Sequence, residues 1–160
     1  MKKIILLIIF LFSFSKVALA CDFTRFNVGK DINSFEKEKT IFRSYEPIEG
    51  VIAITLPISF ICQDKNLDQA SVSLFFIENK VVRIVFQNSY KKNRALFKLA
   101  NSVYKSGFKQ NKKLIENNQP ENYIAEKNNI YYLYGTLIGI NENEGNLLEL
   151  FEIVDKKYED

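Results

Sequence analysis

Histidine is absent from this chain of 160 residues, which removes Ser-His-Asp and Cys-His nucleophile systems and the commonest metal ligand together. Acid–base chemistry is left to carboxylates, Lys and Tyr. Cysteine is scarce: Cys21 and Cys62 stand far apart, so neither a C-x-x-C redox pair nor a paired-cysteine zinc pattern exists. No glycine-rich phosphate loop or dinucleotide fingerprint occurs, and no cofactor or metal is expected. With 6 Gly and 3 Pro against 47% hydrophobic residues, the chain does not read as disordered or low-complexity. No Asn-x-Ser/Thr acceptor occurs, and Ile, Lys, Asn, Phe and Tyr, all spelled by A/T-rich codons, are abundant. Both features suit a bacterial envelope protein better than a glycosylated secretory one.

An export signal stands at the start. Lys2 and Lys3 precede an apolar run over residues 4–12, and Ala18-Leu19-Ala20 offers small residues at the positions a signal peptidase reads. Lys16 ends the apolar run well short of the roughly 20 residues a spanning helix needs. The expected organisation is a cleaved secretory signal over residues 1–20 and a single domain over 21–160, periplasmic or secreted, with no transmembrane span after cleavage. Residues 1–20 hold three Lys and no acid, so the net charge of +3 belongs to the signal. The remaining domain is neutral, and no nucleic-acid partner is expected.

An even cysteine count in an oxidising compartment predicts a disulfide between Cys21 and Cys62. The alternative is a lipoprotein, because Cys21 directly follows the cleavage site. Against it, Ala18-Leu19-Ala20 has the aliphatic and small positions of a lipobox transposed, and an acylated Cys21 could not bridge Cys62.

Periodicity outlines the domain. Asp31 and Ser34 can cap a short helix through Lys39; residues 40–45 read as a strand, 46–50 as a turn and 51–62 as a long strand with Ile52, Ile54, Leu56, Ile58 and Phe60 on one face. Pro57 predicts an edge position or a bulge. Residues 71–78 and 81–87 flank Asn79-Lys80 at hairpin spacing, which would set Phe75 and Ile77 beside Val82 and Ile84. Ser89 offers an N-cap for a helix over 90–106 with Gly107 as its stop. Residues 111–129 read as irregular, and 130–140 with 147–154 as a second hairpin. The expected fold is α+β: an antiparallel sheet of five to six strands with one long amphipathic helix packed on one face.

Constellations with chemistry are few. Glu142, Glu144, Glu149 and Glu152 are the carboxylates from which a hydrolase pair would be drawn, although turn glutamates are normally solvated. The same turn lacks the Asp ligands of a calcium loop. Tyr131, Tyr132 and Tyr134 could form an aromatic ledge, or ordinary sheet packing. The most localised signal is cationic: no Asp or Glu occurs between Glu78 and Glu116, and on a helical wheel Lys91, Arg94, Lys98, Lys105 and Lys109 share one arc opposite Leu96, Leu99 and Val103. Such a stripe is a candidate anion-binding face for an anionic lipid, a cell-wall polymer or an acidic partner. The expected function is a non-catalytic envelope protein that binds a partner protein or an anionic envelope component. A carboxylate hydrolase and a carrier of an apolar ligand are the rivals.

Overall fold

The computed structural model describes residues 21–90, 94–109, 120–138 and 147–159. Alternating apolar and polar residues drive most of this chain into seven strands: β1 (Tyr45–Ile48), β2 (Val51–Pro57), β3 (Ser71–Ile77), β4 (Lys80–Tyr90), β5 (Asn122–Lys127), β6 (Ile130–Ile138) and β7 (Leu147–Asp155). They form one antiparallel sheet in the order β1-β2-β3-β4-β7-β6-β5. Two helices accompany it, α1 (Glu36–Ile41) and α2 (Ala95–Ser102).

The expectation of one long helix on five to six strands is therefore corrected. Ser89 and Tyr90 do not open a helix; they extend β4, where Leu148 and Leu147 of β7 pair with them. Only eight residues remain helical. Beyond them Lys105 and Gly107 take left-handed conformations, and the Ser106 N–H closes on the Ala100 carbonyl. The additional strands arise at the sheet edges. Residues 45–48, expected mostly as turn, pair with β2 as β1, and β5 lies within the stretch expected to be irregular.

The first hairpin also slips by one residue. Glu78 and Asn79 are the left-handed turn residues, and the register skips Val82 between the pairs Phe76–Val81 and Phe75–Arg83. A one-residue slip reverses the faces: Leu74, Phe76, Ile84 and Phe86 are buried, while Phe75 and Ile77 turn to the other side. β2 ends at Pro57, where a 3₁₀ turn over Ile58–Phe60 begins.

The core lies on the inner face of the sheet. Ile54, Leu56, Val72, Leu74, Phe76, Ile84, Phe86, Phe151 and Ile153 are covered by Leu96 and Ala100 of α2 and by the N-terminal Phe23, Phe26 and Phe35. Rings fill the layer: Phe86 stacks on Phe151 at 5.7 Å, and Phe97 meets Tyr134 edge-on at 5.1 Å. Cys21 and Cys62 are joined, tying the first described residue to the segment after β2. The Tyr104 hydroxyl donates to the Phe23 and Phe26 carbonyls and anchors the same N-terminal segment.

Candidate functional site

The cationic stripe does not assemble as expected. Lys91 lies outside the described residues. Arg94 is buried, 8% exposed, and its Nη1 donates to Glu121 Oε2, so it faces the interior rather than an anionic ligand. A buried carboxylate requires a counter-charge, and the helical wheel contains no information about Glu121, which follows 27 residues later. Lys98, Lys105 and Lys109 are exposed. Lys98 borders a cleft of about 230 Å³ between α2 and the disulfide, but Asp64 shares it.

The glutamates separate as well. Glu142 and Glu144 are outside the described residues. On β7 the period-two alternation sends Glu149 inward and Glu152 outward, so these two cannot converge on one substrate. Glu152 pairs with Arg83, whose Nε lies 3.0 Å away. The tyrosines divide likewise: Tyr132 and Tyr134 are buried, and outward-facing Tyr131 lies under the Lys156 ammonium.

Beneath the start of α2 the inner face carries a buried polar cluster of Asn88, Arg94, Glu121, Thr136 and Glu149. Glu149 Oε1 accepts from the Phe97 N–H and the Tyr134 hydroxyl, both at 2.9 Å. A strand carboxylate thus caps the helix in place of the expected Ser89. Burial lifts the Glu149 carboxyl above the usual carboxylate range, and its hydrogen bonds soften the shift. Glu121 also accepts from the Tyr123 hydroxyl at 3.0 Å, and its backbone exchanges with Thr136. All five residues are at most 8% exposed, and the arrangement is a structural one that joins α2 to β4, β6 and β7.

The outer face is where the fold departs from ordinary alternation. An antiparallel sheet usually presents polar side chains to water on its uncovered face. On β2, β3 and β4 that holds in part: Thr55, Ser71, Ser73 and Gln87 face outward, with the Thr55 and Ser73 hydroxyls 2.8 Å apart, but Phe75 and Ile77 share the face and border a depression of about 410 Å³ with Ile48, Val51 and Val82. On β5, β6 and β7 it fails. Ile124 pairs with Leu133, Gly135 with Leu150, and Leu137 with Leu148, giving an apolar half-face. Ile124 is 71% exposed and Leu137 51%. A depression of about 430 Å³ runs over Ile124, Leu133, Gly135 and Leu150. At Gly135 the place of a Cβ is taken by the Asn122 side chain, whose Oδ1 would stand 2.9 Å from it. The rim charges are spent internally, Arg83 on Glu152 and Lys156 on Glu126.

The sequence carried a signal for this face. β6 (IYYLYGTLI) and β7 (LLELFEIVD) are apolar at both parities, the pattern of strands that have apolar surroundings on two sides. No three His, Cys, Asp or Glu residues converge to hold a metal among the described residues. No described helix is long and apolar enough to cross a membrane, and this with the disulfide is compatible with an exported protein. No family model, characterised protein or solved structure matches this chain.

Proposed function

We propose that this chain is an exported, non-catalytic binding protein of the cell envelope, and that the apolar half-face of β5, β6 and β7 receives a partner protein. One observation carries the reading: large apolar side chains stand in water on a regular sheet whose rim charges are already paired. An uncovered apolar area with a polar rim is the usual mark of a protein contact. Because Glu126 and Glu152 each hold their own cation, the face presents no surplus charge of either sign. Its complement is therefore a neutral apolar protein surface. An acidic polymer or lipid headgroup would find its cations on the opposite side, at Lys98, Lys105 and Lys109.

A photo-reactive residue placed at Leu137 in the exported protein tests this in living cells, with the same group at Thr55 as the control. Protease-sensitive adducts from position 137 and not from 55 are the expected result. Equal adducts at both positions, or none at 137, would remove the half-face from consideration. Salt-sensitive binding to anionic vesicles that vanishes when Lys98, Lys105 and Lys109 become Gln would transfer the function to the cationic side.

A further inference from the structure

The two edges of the sheet are built differently. β1 is blunted: it is four residues long, contains Pro47, and its register with β2 breaks between Tyr45 and Ile48. These are the devices by which natural sheets avoid edge pairing. Apart from the exposed Glu126 and Lys127, β5 has no such device. Its six residues pair with β6 in unbroken register and include no proline.

The register also shows which backbone groups of β5 have no strand partner among the described residues. Asn128 and Asn129 are both left-handed, as a two-residue hairpin turn of type I′ requires, so the flanking pair Lys127–Ile130 is hydrogen-bonded. Hydrogen-bonded positions then recur at every second residue, and the Thr136 N–H donating to the Glu121 carbonyl confirms the parity at the far end. Odd-numbered residues of β5 bond to β6. Asn122, Ile124 and Glu126 direct their N–H and C=O groups away from the sheet.

We infer that β5 pairs antiparallel with β5 of a second copy, about a two-fold axis at Ile124, making one sheet of the two chains. This register is the self-complementary one. It places Ile124 opposite Ile124 and Asn122 opposite Glu126, so every outward group of these three residues meets a partner. Sliding by one step either way leaves an outward group facing Pro120 or the Asn128 turn and sets Ile124 against a polar side chain. The chosen register also opposes Lys127 to Glu121 and Tyr123 to Ala125, with no like charges facing one another. The most exposed large apolar side chain among the described residues, Ile124, is thereby covered. Closed two-fold pairing of this kind ends with the dimer, because β1 cannot continue it.

Sedimentation velocity on the exported form over a range of concentrations reads the association. A dimer that dissociates on dilution is expected. Ile124→Pro removes only an outward donor and leaves the β5–β6 ladder, so it should be monomeric with an unchanged circular dichroism spectrum. If that variant fails to fold, Ile124→Lys opposes two ammonium groups at the axis and should weaken association by about tenfold or more. Ile124→Cys should form a disulfide-linked dimer on oxidation, since Cα atoms of a hydrogen-bonded pair stand about 5.5 Å apart, within disulfide reach; Leu137→Cys should not. A wild-type monomer at every concentration overturns the inference. So does a dimer that Ile124→Lys leaves unweakened, or one in which Ile124→Cys does not cross-link. None of these results bears on adducts at Leu137, so the partner reading and the dimer stand or fall separately.

Discussion

Glu149 offers a direct test of how this fold is held together, because one carboxylate caps a helix from inside the sheet. It is fully buried, accepts the Phe97 N–H and the Tyr134 hydroxyl through Oε1, and leaves Oε2 without a hydrogen bond. Removing the acceptor strands two buried donors, each costing about 1–3 kcal/mol. Glu149→Ala should therefore lose roughly 3 kcal/mol or more, a large part of the ~5–15 kcal/mol that stabilises a typical domain. Glu149→Gln keeps a carbonyl oxygen for both donors and removes the charge that burial penalises. The sign of the pH effect follows from the raised carboxyl. The folded state holds this proton to higher pH than the unfolded chain does, so the stability contribution is fully present below the ordinary glutamate range near 4.5 and is lost as pH rises through the folded value. Each unit of elevation corresponds to about 1.4 kcal/mol.

The groups facing Glu149 are Asn88, Thr136 and Tyr134, with the Arg94–Glu121 pair in the same buried cluster. The difference between wild type and Glu149→Gln isolates the one titration. Urea unfolding from pH 4 to 8 should show the stability gap shifting in favour of Gln as pH rises, with Ala least stable throughout. A gap between wild type and Gln that does not change with pH would refute the burial argument. An Ala variant within about 1 kcal/mol of wild type would refute the cap.

Other outcomes follow from the same structure. Replacing Cys21 and Cys62 with Ser releases a loop spanning a sequence separation of 41 and should cost about 4 kcal/mol in the chain-entropy account, read by thermal melting of the exported form. Free-thiol labelling should find neither cysteine, and intact mass should begin at Cys21 without a diacylglyceryl group. Arg94→Met leaves the Glu121 carboxylate buried with the Tyr123 hydroxyl and should cost about 3–5 kcal/mol, most of it recovered when Glu121→Gln is added, as urea titration will show. Changing Lys98, Lys105 and Lys109 to Gln should alter stability by no more than about 0.5 kcal/mol and leave adducts at Leu137 unchanged.

Local patterns in the sequence located most strands and the β3–β4 and β6–β7 hairpins, but not the pairing of β4 with β7 or the edge strands β1 and β5. β2 shows alternation residue by residue and β3, β4, β6 and β7 are apolar runs bounded by turn residues, whereas β5 has an exposed, mixed surface that reads as irregular. Its Asn128-Asn129 turn was the available signal, since asparagine tolerates the left-handed conformation both residues adopt. Choosing Asn79-Lys80 over Glu78-Asn79 displaces the turn by one residue, and the bulge at Val82, which no alternation reveals, then changes the parity of the pairing, so that Ile84 stands opposite Leu74 instead of Phe75. The helix was overextended because residues 90–106 satisfy a helical wheel in isolation; the competing demand comes from Leu147 and Leu148, far along the chain, which hold Ser89 and Tyr90 in the sheet.

The fate of Arg94 shows what a helical wheel leaves out. A wheel records where cations point if the helix is continuous and its neighbours are water. Here the helix begins at Ala95, Arg94 is left-handed, and its partner Glu121 is fully buried. The strongest member of the stripe is thereby consumed in holding the inner face together, at the same end of the sheet where the outer face is apolar. Ion pairing inside the protein has the same effect on the outer rim, through Arg83–Glu152 and Lys156–Glu126. What this leaves on the outer face of β5, β6 and β7 is apolar carbon between paired charges and, at the β5 edge, backbone groups without a strand partner among the described residues. The recognition proposed there would rest on apolar contact and strand pairing, which salt does not screen, and this separates it experimentally from binding carried by Lys98, Lys105 and Lys109.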